Sequence, residues 1–72
     1  MNDLSKKLLE IAHEILGRWV ELEQDKQEVP EWDSFAHLML INRVEEEFGI
    51  AIPIEDTANI RKLSDFLQYI SK

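Results

Sequence analysis

The sequence predicts a small all-α protein, a four-helix bundle with three main helices and one short helix. Three segments carry apolar residues at helical spacing, and no segment shows the strict alternation of a half-buried strand. We interpret residues 1–72 as a single domain, because a chain of this length can bury only one modest core. Cysteine is absent, so neither disulfides nor thiolate-bound metals can support that core.

The first helix is predicted from an apolar stripe near the start of the chain. The residues of this stripe are Leu4, Leu8, Ile11 and Ile15. Gly17 is a suitable end for the helix, because glycine readily adopts the left-handed conformation found there. Trp19 and Leu22 continue the stripe, however. The sequence therefore leaves two ends open, one at Gly17 and one near Glu23.

A polar, acidic loop is predicted over residues 23–33. Pro30 biases the residue before it away from helix, which supports this interpretation. Val29 and Trp32 are the large apolar residues of the segment, and we expect them to anchor it on the core.

The second helix is predicted from about Ser34 to Phe48 and ends at Gly49. At 100° per residue, one face of this helix is apolar and should be core. That face consists of His37, Leu40, Ile41, Val44 and Phe48. The opposite face consists of Phe35, Met39, Asn42, Arg43 and Glu46. Phe35 and Met39 either lie down on the neighbouring loop or form an exposed docking patch.

The last third of the chain completes the predicted bundle. Ile50 and Ile52 should anchor the linker, and a short helix should span about Glu55 to Ile60. Ser64 is predicted to cap the last helix. The apolar residues of this helix are Phe66, Leu67 and Ile70.

The charge balance restricts the classes of partner. Fifteen acidic residues against eight basic ones give a formal net charge of −7. Such a surface repels nucleic acids and anionic membranes and favours basic protein partners. Because the chain begins without a basic, apolar signal peptide and has no apolar run of membrane-spanning length, we expect a cytoplasmic monomer.

The candidate functional residues stand where the loop becomes the second helix. Asp33 can cap the helix, which leaves the Ser34 hydroxyl at the rim of the first turn, a suitable place for a phosphoester. His37 follows one turn later, but we predict that it packs rather than acts as a catalytic base. His13 has no second ligand at metal spacing and is interpreted as a surface histidine.

Asp33-Ser34-Phe35 resembles the Asp-Ser-Leu motif of the acyl and peptidyl carrier protein family. The distances from this serine to residues 45–50 and 52–53 also match the family, and Ile60, Leu63 and residues 65–70 match its C-terminal pattern. The resemblance covers residues 30–71 well and residues 3–17 loosely. The chain departs from the family at Trp32, which replaces a common glycine, at Phe35, which replaces leucine, and in its short first loop.

The resemblance implies a non-catalytic carrier. A separate phosphopantetheinyl transferase would attach 4′-phosphopantetheine from coenzyme A to Ser34, with Asp33 beside it helping to place the metal ion of the transferase. The arm would hold acyl or aminoacyl groups as thioesters and present them to enzymes of fatty acid, polyketide or nonribosomal peptide biosynthesis. The implied partner-binding residues are Phe35, Met39, Asn42, Glu45 and Glu46.

Two further expectations depend on this interpretation. The alternative function is a small acidic helical interaction module without a prosthetic group, which fits composition and periodicity equally well. If the chain is a carrier, Phe66 should fill the space in which some carriers shelter long acyl chains, so the cargo should stay outside the bundle. The positions that would line such a space are Val44, Ile52, Thr57, Ile60, Phe66 and Tyr69.

Overall fold

A computed structural model describes residues 3–70 and confirms an all-helical bundle, with no strand in this range. The two long helices are α1, Asp3–Leu16, and α2, Ser34–Phe48. A short α3, Leu67–Ile70, continues directly from a 3-10 helix at Leu63–Phe66. Two further 3-10 helices, Lys26–Glu28 and Ile54–Asn59, lie in the connections before and after α2.

Helix α1 ends early, at Leu16. Gly17 adopts a left-handed φ of 75°, and its N–H donates to the His13 carbonyl at 2.9 Å. The longer alternative is therefore wrong, because Gly17 turns the chain away. Trp19 is exposed and stacks on the His13 ring with 4.1 Å between ring centroids. The buried positions of α1 are Ser5, Leu8, Ile11, Ala12 and Leu16, whereas Leu4 and Ile15 are half-buried.

Helix α2 has the predicted bounds, and Gly49 ends it with a φ of 65°. Its buried face is centred slightly closer to the N-terminus than predicted, since Ala36 is buried while His37 and Phe48 are only half-buried. The remaining buried residues of this face are Leu40, Ile41 and Val44, as predicted.

The last helical segment begins one residue before the predicted cap. Its first residue is Leu63, so Ser64 lies inside the 3-10 helix and the prediction that it caps the helix is wrong. The Asp65 carboxylate instead binds the backbone that leads into the helix, accepting from the Arg61 N–H at 2.9 Å and from the Lys62 N–H at 3.3 Å.

The loop between α1 and α2 is held against the C-terminal segment. Val29 and Trp32 are buried, as predicted. The Lys26 N–H donates to the Arg61 carbonyl at 2.7 Å, and the Arg61 guanidinium contacts Asp25 at 3.0 and 3.1 Å. A hydrogen bond from the Gln27 N–H, with the Arg61 contact second, holds the pKa of Asp25 below its usual range. These bonds fix the position of the loop that leads into α2.

Candidate functional site at the start of helix α2

Ser34 is the first residue of α2 and is exposed. Asp33 precedes it in an extended conformation and caps the helix, since its Oδ1 accepts from the Ala36 N–H at 2.8 Å. The Asp33 carbonyl also accepts from the His37 N–H at 2.9 Å. The structure therefore confirms the predicted cap, and it leaves the Ser34 hydroxyl open to solvent at the rim of the helix.

Two hydrogen bonds connect Trp32, His37 and Thr57 next to the start of α2. The Trp32 indole N–H donates to His37 Nδ1 at 3.0 Å, and His37 Nε2 lies 2.9 Å from the Thr57 carbonyl oxygen. Because the indole can only donate, Nδ1 must accept, and the imidazole proton therefore resides on Nε2 and is donated to Thr57. These hydrogen bonds join the loop, α2 and the 3-10 helix Ile54–Asn59 to one another.

These bonds occupy both nitrogens of the imidazole. His37 consequently has no free nitrogen with which to accept a proton from Ser34. His37 is half-buried and bonded to Trp32, in agreement with the packing role predicted for it. Sequence reasoning placed both side chains near the core but did not identify the bond between them.

An open cleft of about 530 Å³ lies beside Ser34, between the 3-10 helix Lys26–Glu28 and the first turn of α2. Lys26 and Gln27 line it on the loop side. The residues that line it on the other side are Trp32, Asp33, Ser34, His37 and Leu38. The cleft thus combines the serine with one cationic, one amide, one carboxylate, one imidazole and two large apolar side chains.

The outer face of α2 is apolar next to Ser34. Phe35, Leu38 and Met39 are 73%, 59% and 39% exposed. The interpretation in which Phe35 and Met39 lie down on the loop is therefore wrong, and their exposure is confirmed. Leu38 was not identified from the sequence, although it follows Phe35 by one helical turn.

The polar residues of this face differ in how firmly their side chains are held by other parts of the protein. Asn42 and Glu46 are exposed, and with Glu45 they line a depression of about 420 Å³. Glu45 is half-buried, and its Oε2 accepts from the Ile52 N–H at 2.7 Å, so it also fixes the linker after α2. Arg43 contacts Glu14 of α1 at 3.0 Å.

Residues 3–70 contain neither a candidate membrane span nor a metal-ligand cluster. None of the helices there is both long and apolar enough to cross a membrane. No group of three or more metal-ligating side chains is assembled there either.

In a comparison with known proteins, the sequence is similar to that of one curated protein. It is 31% identical over 67 residues to "Acyl carrier protein" from Renibacterium salmoninarum, an alignment that covers 89% of this chain and 83% of that protein. No family model matches the chain.

Proposed function

Because this chain belongs to the acyl carrier protein family, we propose that Ser34 is the attachment site of a 4′-phosphopantetheine arm. The observation that carries this proposal is the exposed serine on the first residue of α2, with Asp33 capping the helix beside it. Membership of the family supports a carrier role and interaction with biosynthetic enzymes. The arm, when present, supplies a terminal thiol on which acyl or aminoacyl groups are held as thioesters.

The residues around Ser34 fit such a group. The hydroxyl is accessible, the cleft beside it has room for a chain, and the Asp33 carboxylate is engaged by the Ala36 N–H rather than by the serine. His37 has no free nitrogen to activate the hydroxyl, so loading requires a separate transferase. In that transfer Ser34 Oγ bonds to the pantetheine-bearing phosphorus of coenzyme A and the pyrophosphate bond breaks. The adenosine bisphosphate half leaves, and the serine proton passes to the transferase.

We expect incubation with coenzyme A and a broad-specificity phosphopantetheinyl transferase to add the mass of one phosphopantetheinyl group to the wild-type protein. Ser34→Ala should gain nothing, because it lacks the oxygen that forms the phosphodiester. Ser64→Ala is the matched control and should be loaded like the wild type, since Ser64 lies within the 3-10 helix Leu63–Phe66. Intact-protein mass spectrometry measures the mass of all three proteins after incubation. Loading of Ser34→Ala would refute the assignment.

We further propose that the outer face of α2 binds partner enzymes through Phe35, Leu38 and Met39. Apolar side chains surrounded by charge are typical of interaction surfaces. The polar residues Asn42, Glu45 and Glu46 continue this face and would meet basic groups of a partner.

Met39→Glu should leave the stability nearly unchanged, within about ±0.5 kcal/mol, because the side chain is exposed. It should slow loading by the transferase about tenfold if Met39 contributes roughly 1.4 kcal/mol to the contact. Gln68→Glu adds the same charge at an exposed position of α3 and should load at the wild-type rate. Thermal melts and initial loading rates measure the two effects, and a large fall in melting temperature with Met39→Glu would show a structural role instead.

The alternative of an acidic interaction module without a prosthetic group uses the same apolar face. The family assignment favours the carrier. The two functions differ in the mass experiment, because a module without an arm gains no mass under any loading condition.

A further inference from the structure

The cleft beside Ser34 is lined by side chains whose chemistry corresponds to the parts of a pantetheine phosphodiester. Such a chain carries one anionic phosphodiester, apolar methyl and methylene groups, and two amides. Lys26 supplies a cation, Leu38 supplies most of the apolar surface with the small exposed part of Trp32, and Gln27 supplies an amide that both donates and accepts. Ser34, the point of attachment, lies on the wall of the same cleft.

Lys26 differs from most of the other cations of the protein. Within residues 3–70, Lys7, Lys62 and all three arginines pair with carboxylates at 3.0–3.5 Å. The Lys26 ammonium forms no ion pair within this range, and the carboxylate of its neighbour Asp25 accepts two hydrogen bonds from Arg61. In a protein of net charge −7, an unpaired cation facing the attachment serine favours a negatively charged occupant.

The backbone that carries Lys26 is fixed in place. Its N–H donates to the Arg61 carbonyl at 2.7 Å, and its carbonyl accepts from the Val29 N–H at 3.1 Å. The opposite wall is fixed by the bond from Trp32 to His37. Because both walls are held by hydrogen bonds, the cleft is already formed before a pantetheine chain enters it, and binding need not include the cost of ordering its walls.

We propose that this cleft is the resting site of the arm attached to Ser34, with the Lys26 ammonium against its phosphodiester and the pantetheine chain along Trp32 and Leu38. This inference rests on the proposed function. It places the arm on the loop side of α2, where it would cover Leu38 and leave Phe35 and Met39, the other two residues of the apolar face, exposed to a partner while the arm is at rest.

Nuclear magnetic resonance of the loaded protein tests the proposal. Cysteine is absent from the chain, so a maleimide nitroxide reacts only with the thiol of the arm. We expect the nitroxide to broaden the amide signal of Gln27 and the indole N–H signal of Trp32 more strongly than the side-chain amide signal of Asn42. The same sample reduced with ascorbate gives the reference intensities.

Lys26→Glu should abolish this asymmetry, and Lys26→Gln should weaken it. Lys6→Glu makes the same charge change on α1, outside the cleft, and should preserve the asymmetry. Equal broadening on both sides of Ser34, or an asymmetry that survives Lys26→Glu, would overturn the resting site while leaving the carrier function intact. A wild-type protein that gains no mass before labelling would overturn both proposals, so the two failures are distinguishable.

Discussion

Phe66→Ala is expected to lower the free energy of unfolding by about 3–5 kcal/mol, the usual range for removing a fully buried phenylalanine. Phe66 has no exposed surface, and its neighbours cannot close the space without moving packed side chains. A 72-residue domain has a total stability of only about 4–10 kcal/mol, so this variant should be close to its unfolding limit at room temperature. Urea titration at low temperature measures the change.

Phe35→Ala is the matched control for this experiment. It makes the same substitution at a side chain that is 73% exposed, and the expected change is within about ±0.5 kcal/mol. Similar losses of stability in the two variants would contradict the assignment of Phe66 to the core. Phe66→Leu, which leaves a smaller space, should give an intermediate loss if Phe66→Ala proves too unstable to measure.

The second large effect concerns the cargo, and it rests on the proposed carrier function. Wild-type protein loaded with acyl chains of increasing length should show a melting temperature that does not depend on chain length. The residues that would have to separate, Val44, Ile60 and Phe66, are all fully buried, and the Thr57 hydroxyl bonds to the Ile54 carbonyl at 2.8 Å. A chain has no preformed space among them, so we expect it to remain outside the bundle.

Phe66→Leu should change this behaviour. The space it leaves can accept methylenes, and each methylene buried there adds about 0.8 kcal/mol to the stability. The melting temperature of the variant should therefore rise with chain length, while that of the wild type stays constant. A stepwise rise in the wild type would show that Phe66 moves aside and that the protein shelters its cargo.

Local backbone chemistry explains why much of this fold could be predicted. The bounds of α2 follow from Asp33 and Gly49, because an acidic cap and a left-handed glycine act within one turn of the helix. The anchoring of the loop by Val29 and Trp32 follows from the scarcity of other large apolar residues there. Both kinds of signal are local in the sequence.

The features that could not be predicted depend on contacts between distant segments. The bond between Trp32 and His37 requires the loop and the helix to meet at one angle, and the Thr57 carbonyl arrives from 20 residues further on. Ser64 was predicted to cap the last helix from its residue type, but the helix begins at Leu63, and the Asp65 carboxylate binds the Arg61 and Lys62 N–H groups ahead of it. The contact between Arg61 and Asp25 likewise joins segments that lie 36 residues apart.

The location of the added group tests the central claim most directly. Tryptic cleavage after Lys26 and Arg43 releases residues 27–43, in which Ser34 is the only hydroxyl-bearing side chain. After loading from coenzyme A, tandem mass spectrometry should find the phosphopantetheinyl mass on this peptide and on no other. An unmodified 27–43 peptide, or the added mass on a peptide that lacks Ser34, would contradict the account.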